Sequence, residues 1–235
     1  FWMWLAAFFG MATIYGEASL AQVTKTRDDK GHVIGGPVYY ITRAFQGGFG
    51  RFLAGFFAVA LILALGIMGN MVQSNSISDA FYTAFGINKV IVGVLVTVIA
   101  AFIFVGGIGR IASFTEKVVP IMAALYLVGG VILLILNFRG IPGALVSIFI
   151  GAFSPRAVGG AVAGLTVREA MRLGVARGLF SNEAGMGSTP HAHALAKVDN
   201  PQDQGEVAMV GVFIDTFVVL TMTALVILSS GVLDS

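Results

Sequence analysis

The sequence predicts an all-α membrane protein whose helices cross a bilayer, with one crossing broken midway. Three observations carry that expectation. Of 235 residues, 57% are apolar and only 11% charged, against about 25% charged in a soluble domain. Uncharged runs recur at the length of a bilayer crossing. One polar, glycine-rich segment, residues 178–193, falls where another crossing is due.

A bilayer core of about 30 Å takes roughly 20 apolar residues in a helix. Residues 1–16 are uncharged and continue through Glu17, predicting a first span over about 1–22. Residues 24–51 form a charged connection in which Gly35-Gly36-Pro37 reads as a turn, with Tyr39 and Tyr40 at the membrane–water interface. Further spans follow over about 52–78, 89–109, 117–138 and 206–232; the apolar stretch of the last, 207–233, is interrupted only by Asp215. Periodicity adds little, because a helix buried on every side is apolar all round. Residues 141–154 are apolar but short and bracketed by Pro142 and Pro155, which predicts a shallow or re-entrant helix. Residues 168–196 read as one interrupted span, although 165–177 alone also fits an amphipathic helix of the soluble kind.

Lysine and arginine bias sets orientation. Lys25, Arg27, Lys30, Arg43 and Arg51, with Arg110, Lys117 and Lys197, place eight positive charges on one side. Lys89, Arg139 and Arg156 lie on the other, joined by Arg168, Arg172 and Arg177 if those are outside. The 24–51 connection is therefore expected in the cytoplasm. Cysteine is absent, so no disulfide framework or thiolate metal site exists. A net charge of +2 gives no argument for nucleic acid. The chain opens at Phe1 inside one apolar run and stops at Ser235 just after another, so a single transmembrane domain truncated at both ends is expected.

Chemistry concentrates between Arg177 and His193. Gly178, Gly185, Gly187 and Pro190 cannot build a good continuous helix. Free backbone groups at membrane depth are tolerated only where they are buried in protein or line a wet cavity. Transporters use this arrangement to aim dipole ends and unpaired backbone groups at solute and ions. Ser181, Asn182 and Glu183 would sit in that break, with non-helical backbone expected over 181–187. A re-entrant loop or a glycine-packed helix crossing would use the same residues.

Gly66, Gly69, Asn70 and Gln73 fall on one face of the 52–78 span. Small residues allow close helix approach and amides bond across helices, so the face serves either packing or solute contact. Glu17, Glu183 and Asp215 are ionisable groups inside spans, which usually face the protein interior. Glu183 is placed to satisfy the freed amides of a following helix over 186–196. Asp215 with Thr216 would brace the broken helix or support a cation. His191 and His193, two residues apart, project to nearly opposite helix faces and make a poor chelating pair.

The run Gly178–His193, GLFSNEAGMGSTPHAH, resembles the signature of the alanine or glycine:cation symporter family. So do FWMWLAAFFGMATIYGEASLA at 1–21, GGPVYYI at 35–41, GNMVQSNSI at 69–77, the Val119-Pro120, Met122 and Leu125-Tyr126 pattern, and GVFIDT at 211–216, in the same order. The resemblance implies a partial leucine-transporter-type bundle with two inverted repeats of five helices. This chain would run from core helix 2 to core helix 7, with core helices 1 and 8 outside it. It implies symport of a small neutral amino acid, alanine or glycine, with Na+ as the co-transported ion, across the cytoplasmic membrane. Gln73, Phe180, Ser181 and Asn182 would contact substrate. Gly69, Asn70, Glu183, Gly185, Gly187 and Asp215 would support them. The main sodium site would lie in the helices outside this chain, so residues 1–235 alone are expected not to transport.

Two other classes compete. A channel or structural subunit would not require a Ser-Asn-Glu break flanked by glycines. A membrane-embedded hydrolase would pair Ser181 or Glu183 with His191, the serine being the nucleophile to weigh. Ten residues of helix separate Ser181 from His191 by about 15 Å, too far for a nucleophile and its base.

Overall fold

A computed structural model describes residues 1–153 and 167–232. Among the described residues the secondary structure is helical apart from one small antiparallel hairpin, and the chain divides into two units, 1–57 with 127–235, and 58–126.

The first unit is organised by α1 (Trp2–Thr24). Its buried stripe of Ala7, Gly10, Ile14, Ala18 and Ala21 follows the three-four spacing of one helix face. Opposite it runs α10 (Pro201–Phe213), which buries Gly205, Ala208 and Val212. Ala7, Ile14, Ala18, Ala208 and Val212 make one cluster with Ala184. Small residues are what such contacts use, since lipid gives no hydrophobic drive between helices. A Cβ on Gly205 would lie 2.6 Å from Ser19 Oγ and 2.7 Å from the Tyr15 ring, so only glycine fits.

After α1 the chain does not form a plain loop. Strands β1 (Thr26–Arg27) and β2 (Val33–Ile34) pair antiparallel, closed by Asp28, whose carboxylate accepts from the Lys30 and His32 amides. Gly36, at φ 118°, then admits Pro37 at the first turn of α2 (Pro37–Ala44). The expected turn at Gly35-Gly36-Pro37 is thus also a site of close approach. Cβ atoms there would fall 2.6 Å from Ala194 Cβ and 2.7 Å from the His191 ring. Tyr40 is half-buried on α2, and desolvation, then the nearby Glu17 charge, pushes its phenol up to about 12.

Next come α3 (Gly47–Leu61), a π-helical segment (Ile62–Gly69) and α4 (Asn70–Phe85), a 39-residue continuous helix. Gly86 closes α4 in the left-handed conformation, its N–H donating to Tyr82 O. Helix α5 (Lys89–Val105) starts with the Asn88 side chain accepting from Val90 N. Helix α6 (Gly107–Leu136) carries Pro120 in its interior. In the second unit only Gly69, Ser78 and Val92 are buried. Its large apolar side chains, Phe81, Phe102 and Leu125 among them, stand exposed.

A 3₁₀ turn (Phe138–Gly140) leads into α7 (Ile141–Phe153), the short helix expected over 141–154. Helices α8 (Val167–Asn182) and α9 (Pro190–Leu195) flank the break. After α10 a second π-helical segment (Ile214–Leu220) precedes α11 (Thr221–Ser229). Among the described residues, three helices are long and apolar enough to cross a membrane: 47–85, 107–136 and 201–229. Trp2, Trp4, Tyr15 and Glu17 lower the hydropathy of α1, which is not among them. The 3₁₀ turn and α7 form a shorter apolar helix, as does α5 at 17 residues, fewer than the expected 89–109.

Candidate functional site

The break lies between α8 and α9, and its backbone explains why the sequence cannot stay helical there. Glu183, Gly185 and Gly187 take φ of 55°, 90° and 75°. Glycine adopts that region freely, whereas glutamate does so at a cost, and such outliers gather at functional sites. A Cβ on Gly187 would fall 2.6 Å from Phe57 Cζ.

The break lies about two residues later than the sequence suggests, at 183–189 rather than 181–187. Non-helical backbone was expected from Ser181, but Ser181 and Asn182 form the last turn of α8 and the chain leaves the helix at Glu183. The helix after it is α9, starting at Pro190 rather than at 186. Proline suits a first helical turn, and the left-handed glycines before it prevent an earlier start.

The amides of residues 184–187 have defined partners. Asn182 Oδ1 accepts from Ala184 N at 3.1 Å, a local turn that ends α8. Glu17 Oε2, on α1, accepts from Gly185 N at 3.1 Å, and the Gly187 amide faces the same carboxylate. Met186 N donates to Glu183 O at 3.0 Å. Glu183 was expected to satisfy amides of the following helix. Instead its carboxylate accepts from the Ser188 hydroxyl. The left-handed backbone turns it away from the freed amides, and Glu17 takes that part.

The far side of the break is braced by the second π-helical segment. Ser181 Oγ donates to Asp215 Oδ2 at 2.8 Å. Asn182 Nδ2 donates to Thr216 Oγ1 at 3.2 Å, and Thr216 Oγ1 donates to Asp215 Oδ2 at 3.2 Å. Thr216 is fully buried. Thr221 Oγ1 donates to Thr216 O at 3.4 Å and accepts from the Trp4 indole at 2.8 Å. Sequence reasoning found Asp215 and Thr216 but passed over Trp4 and Thr221, which read as ordinary span residues. The π-helix, which often marks functional positions, has no sequence signature.

The carbonyls of Phe180, Ser181 and Asn182 accept no hydrogen bond among the described residues, because the amides that would reach them bond elsewhere. The C-terminal, negative end of the α8 dipole therefore carries three consecutive open oxygens. Phe180 is half-buried beside them, Ser181 exposed and Asn182 buried.

On the other side of the break, α9 is held by side chains. Gln22 donates to His193 O and to Ala196 O, and Lys25 Nζ donates to Ala196 O at 3.1 Å. Gln204 Nε2 donates to His193 Nδ1 at 2.6 Å, and His191 Nδ1 donates to Ser188 O at 3.0 Å. Among the described residues no group of three or more His, Asp or Glu could hold a metal ion.

In the second unit an open groove of about 580 Å³ is lined by Gly66, Asn70, Gln73 and Ser74 of the long helix and by Thr97 and Phe104 of α5. Asn70 Nδ2 donates to Gly66 O at 2.9 Å. Gly69 is buried and leaves this stripe, because three residues fall short of a turn in the wider π-helix.

Residues 1–235 match the sodium:alanine symporter family. The sodium/alanine symporter AgcS of Methanococcus maripaludis is 44% identical over 232 residues, covering 98% of this chain and 50% of that protein. The amino-acid carrier protein AlsT of Bacillus subtilis is 41% identical over 229 residues, 97% of this chain and 47% of its own length. The probable sodium/glutamine symporter GlnT of the same organism is 40% identical over 231 residues, 98% and 46%. The chain spans about half the length of the curated relatives it matches.

Proposed function

The chain belongs to the sodium:alanine symporter family, and we propose that the full-length protein carries a small neutral amino acid, alanine or glycine, together with Na+ across the cytoplasmic membrane. The observation that carries this reading is the set of open carbonyls at Phe180, Ser181 and Asn182 on the negative end of α8. Such oxygens attract an ammonium group or a hard cation. A channel needs no helix end held open by Glu17 on one side and Asp215 with Thr216 on the other.

In this reading Gln73, Phe180, Ser181 and Asn182 contact substrate. Gly69, Asn70, Glu183, Gly185, Gly187 and Asp215 keep the surrounding backbone in place. The wider fold is the leucine-transporter type, and the main sodium site lies in helices outside residues 1–235. Those residues reconstituted alone then do not accumulate alanine.

The test is uptake of labelled alanine by the full-length protein in liposomes under an inward sodium gradient. Saturable uptake that collapses without the gradient and is competed by glycine supports the reading. Because GlnT is described as a probable sodium/glutamine symporter, glutamine is the informative rival. Preferential uptake of glutamine overturns the small-substrate assignment, and gradient-independent, unsaturable flux overturns symport.

A further inference from the structure

Just beyond the end of α1, a cavity of about 360 Å³ collects three cations, Lys25, Arg27 and Lys197, around the apolar side chains of Val33 and Leu195. The cations come from three places, the end of α1, strand β1 and the segment after α9, which the hairpin and the α9 carbonyls bring together. Among the described residues no carboxylate lines the cavity. Asp28, in the same hairpin, is occupied by the Lys30 and His32 amides and the His32 ring.

Donor capacity is left over. Lys25 reaches Gln22 and Ala196 O, and Arg27 gives one N–H to Gly31 O at 3.0 Å, leaving further guanidinium donors. The Lys197 ammonium has no hydrogen bond or ion pair among the described residues. Like charges gathered without a counter-charge repel each other unless an anion joins them.

The geometry points to a binding site for a phosphate-bearing anion, presented as the headgroup of an anionic membrane lipid. The surroundings favour the lipid as its source. Leu195, in the wall, is 39% exposed, and Leu20 and Val23 on the last turn of α1 are 48% and 55% exposed. Apolar surface thus leads to the cations, as an amphiphile requires. Cationic side chains beside a membrane each raise affinity for anionic lipid about fivefold. The site does not depend on which solute the protein carries.

The test titrates the purified full-length protein in neutral detergent with fluorescent short-chain phosphatidylglycerol, using phosphatidylcholine and inorganic phosphate as competitors. Saturable phosphatidylglycerol binding that phosphatidylcholine does not displace is expected. Lys197→Gln should weaken it about fivefold and Arg27→Gln with Lys197→Gln about 25-fold, each charge counting once. Lys197→Arg should retain it. Lys30→Gln, on the same hairpin but outside the cavity wall, should stay within about twofold of the parent. Displacement by millimolar phosphate supports a site for the phosphate group itself, and failure of phosphate to compete supports one that needs the whole amphiphile. If Lys197→Gln and Arg27→Gln, each folded by gel filtration, leave phosphatidylglycerol affinity unchanged, the proposal is overturned. Equal displacement by phosphatidylcholine, or no saturable binding at all, overturns it too.

Discussion

Replacing Thr216 by valine removes one hydroxyl from a fully buried position while keeping the side chain's shape. That hydroxyl accepts from Asn182 Nδ2 at 3.2 Å and donates to Asp215 Oδ2 at 3.2 Å. Asp215 keeps its shorter bond from Ser181, so the larger loss is the Asn182 amide, left buried and unpaired. An orphaned buried donor costs about 1–3 kcal/mol, and a central figure of about 2 kcal/mol is a factor of about 30 in a local opening equilibrium. Because Asn182 also holds Ala184 N, the cost should be felt in the break. The assay is hydrogen–deuterium exchange read by mass spectrometry over peptides covering 179–189. Exchange there should accelerate about 30-fold, while peptides from α5 and α6 stay as they were. Thr97→Val is the control, since its hydroxyl bonds Gly93 O on an exposed helix face. Unchanged exchange at 183–187 in Thr216→Val would refute the claim that this hydroxyl braces the break.

Gln73→Ala should weaken alanine uptake by the full-length protein about tenfold while sparing expression, as loss of one bond to a charged group implies. Equal uptake per folded molecule removes Gln73 from the site. Gly205→Leu should lower stability by about 1–3 kcal/mol, since its first side-chain carbon already meets Ser19 and Tyr15. An unshifted melting temperature would count against the α1–α10 packing. The His32 backbone N–H holds the Asp28 carboxyl below its ordinary 3.8. A depressed folded pKa stabilises the hairpin at pH above the unfolded value and loses that effect as pH falls through the folded one. Exchange of the 26–34 amides, corrected for intrinsic rates, should therefore rise below about pH 4 in the parent but not in Asp28→Asn.

How much was legible in the sequence depended on the kind of signal. Three long apolar helices cover most of the expected spans 52–78, 117–138 and 206–232, since an uncharged run of that length is plain in the sequence, and the break was legible because Gly185 and Gly187 have few other uses inside an apolar helix. The division of labour between two glutamates was not legible. Glu183 sits inside the break in sequence, yet Glu17, 168 residues away, accepts the Gly185 amide. Only the packing of α1 against α8 and α10 reveals that. The π-helical segments were invisible too, because no residue type marks the extra residue per turn. Helix α2 was hidden because its Gly-Gly-Pro start reads equally well as a turn.

The account's central claim is that substrate sits at the open end of α8, and an introduced thiol tests it most directly. The chain has no cysteine, so a single substitution gives a clean reporter peptide. Ser181 is exposed at the break, and its hydroxyl donates to the Asp215 side chain. In full-length Ser181→Cys, modification by a small methanethiosulfonate reagent is followed on the peptide containing residue 181. Alanine with sodium should slow modification at least about tenfold, and neither alanine with potassium nor sodium alone should match it. A rate unchanged by saturating alanine and sodium, in protein that still accumulates alanine, would place the substrate elsewhere and contradict the account.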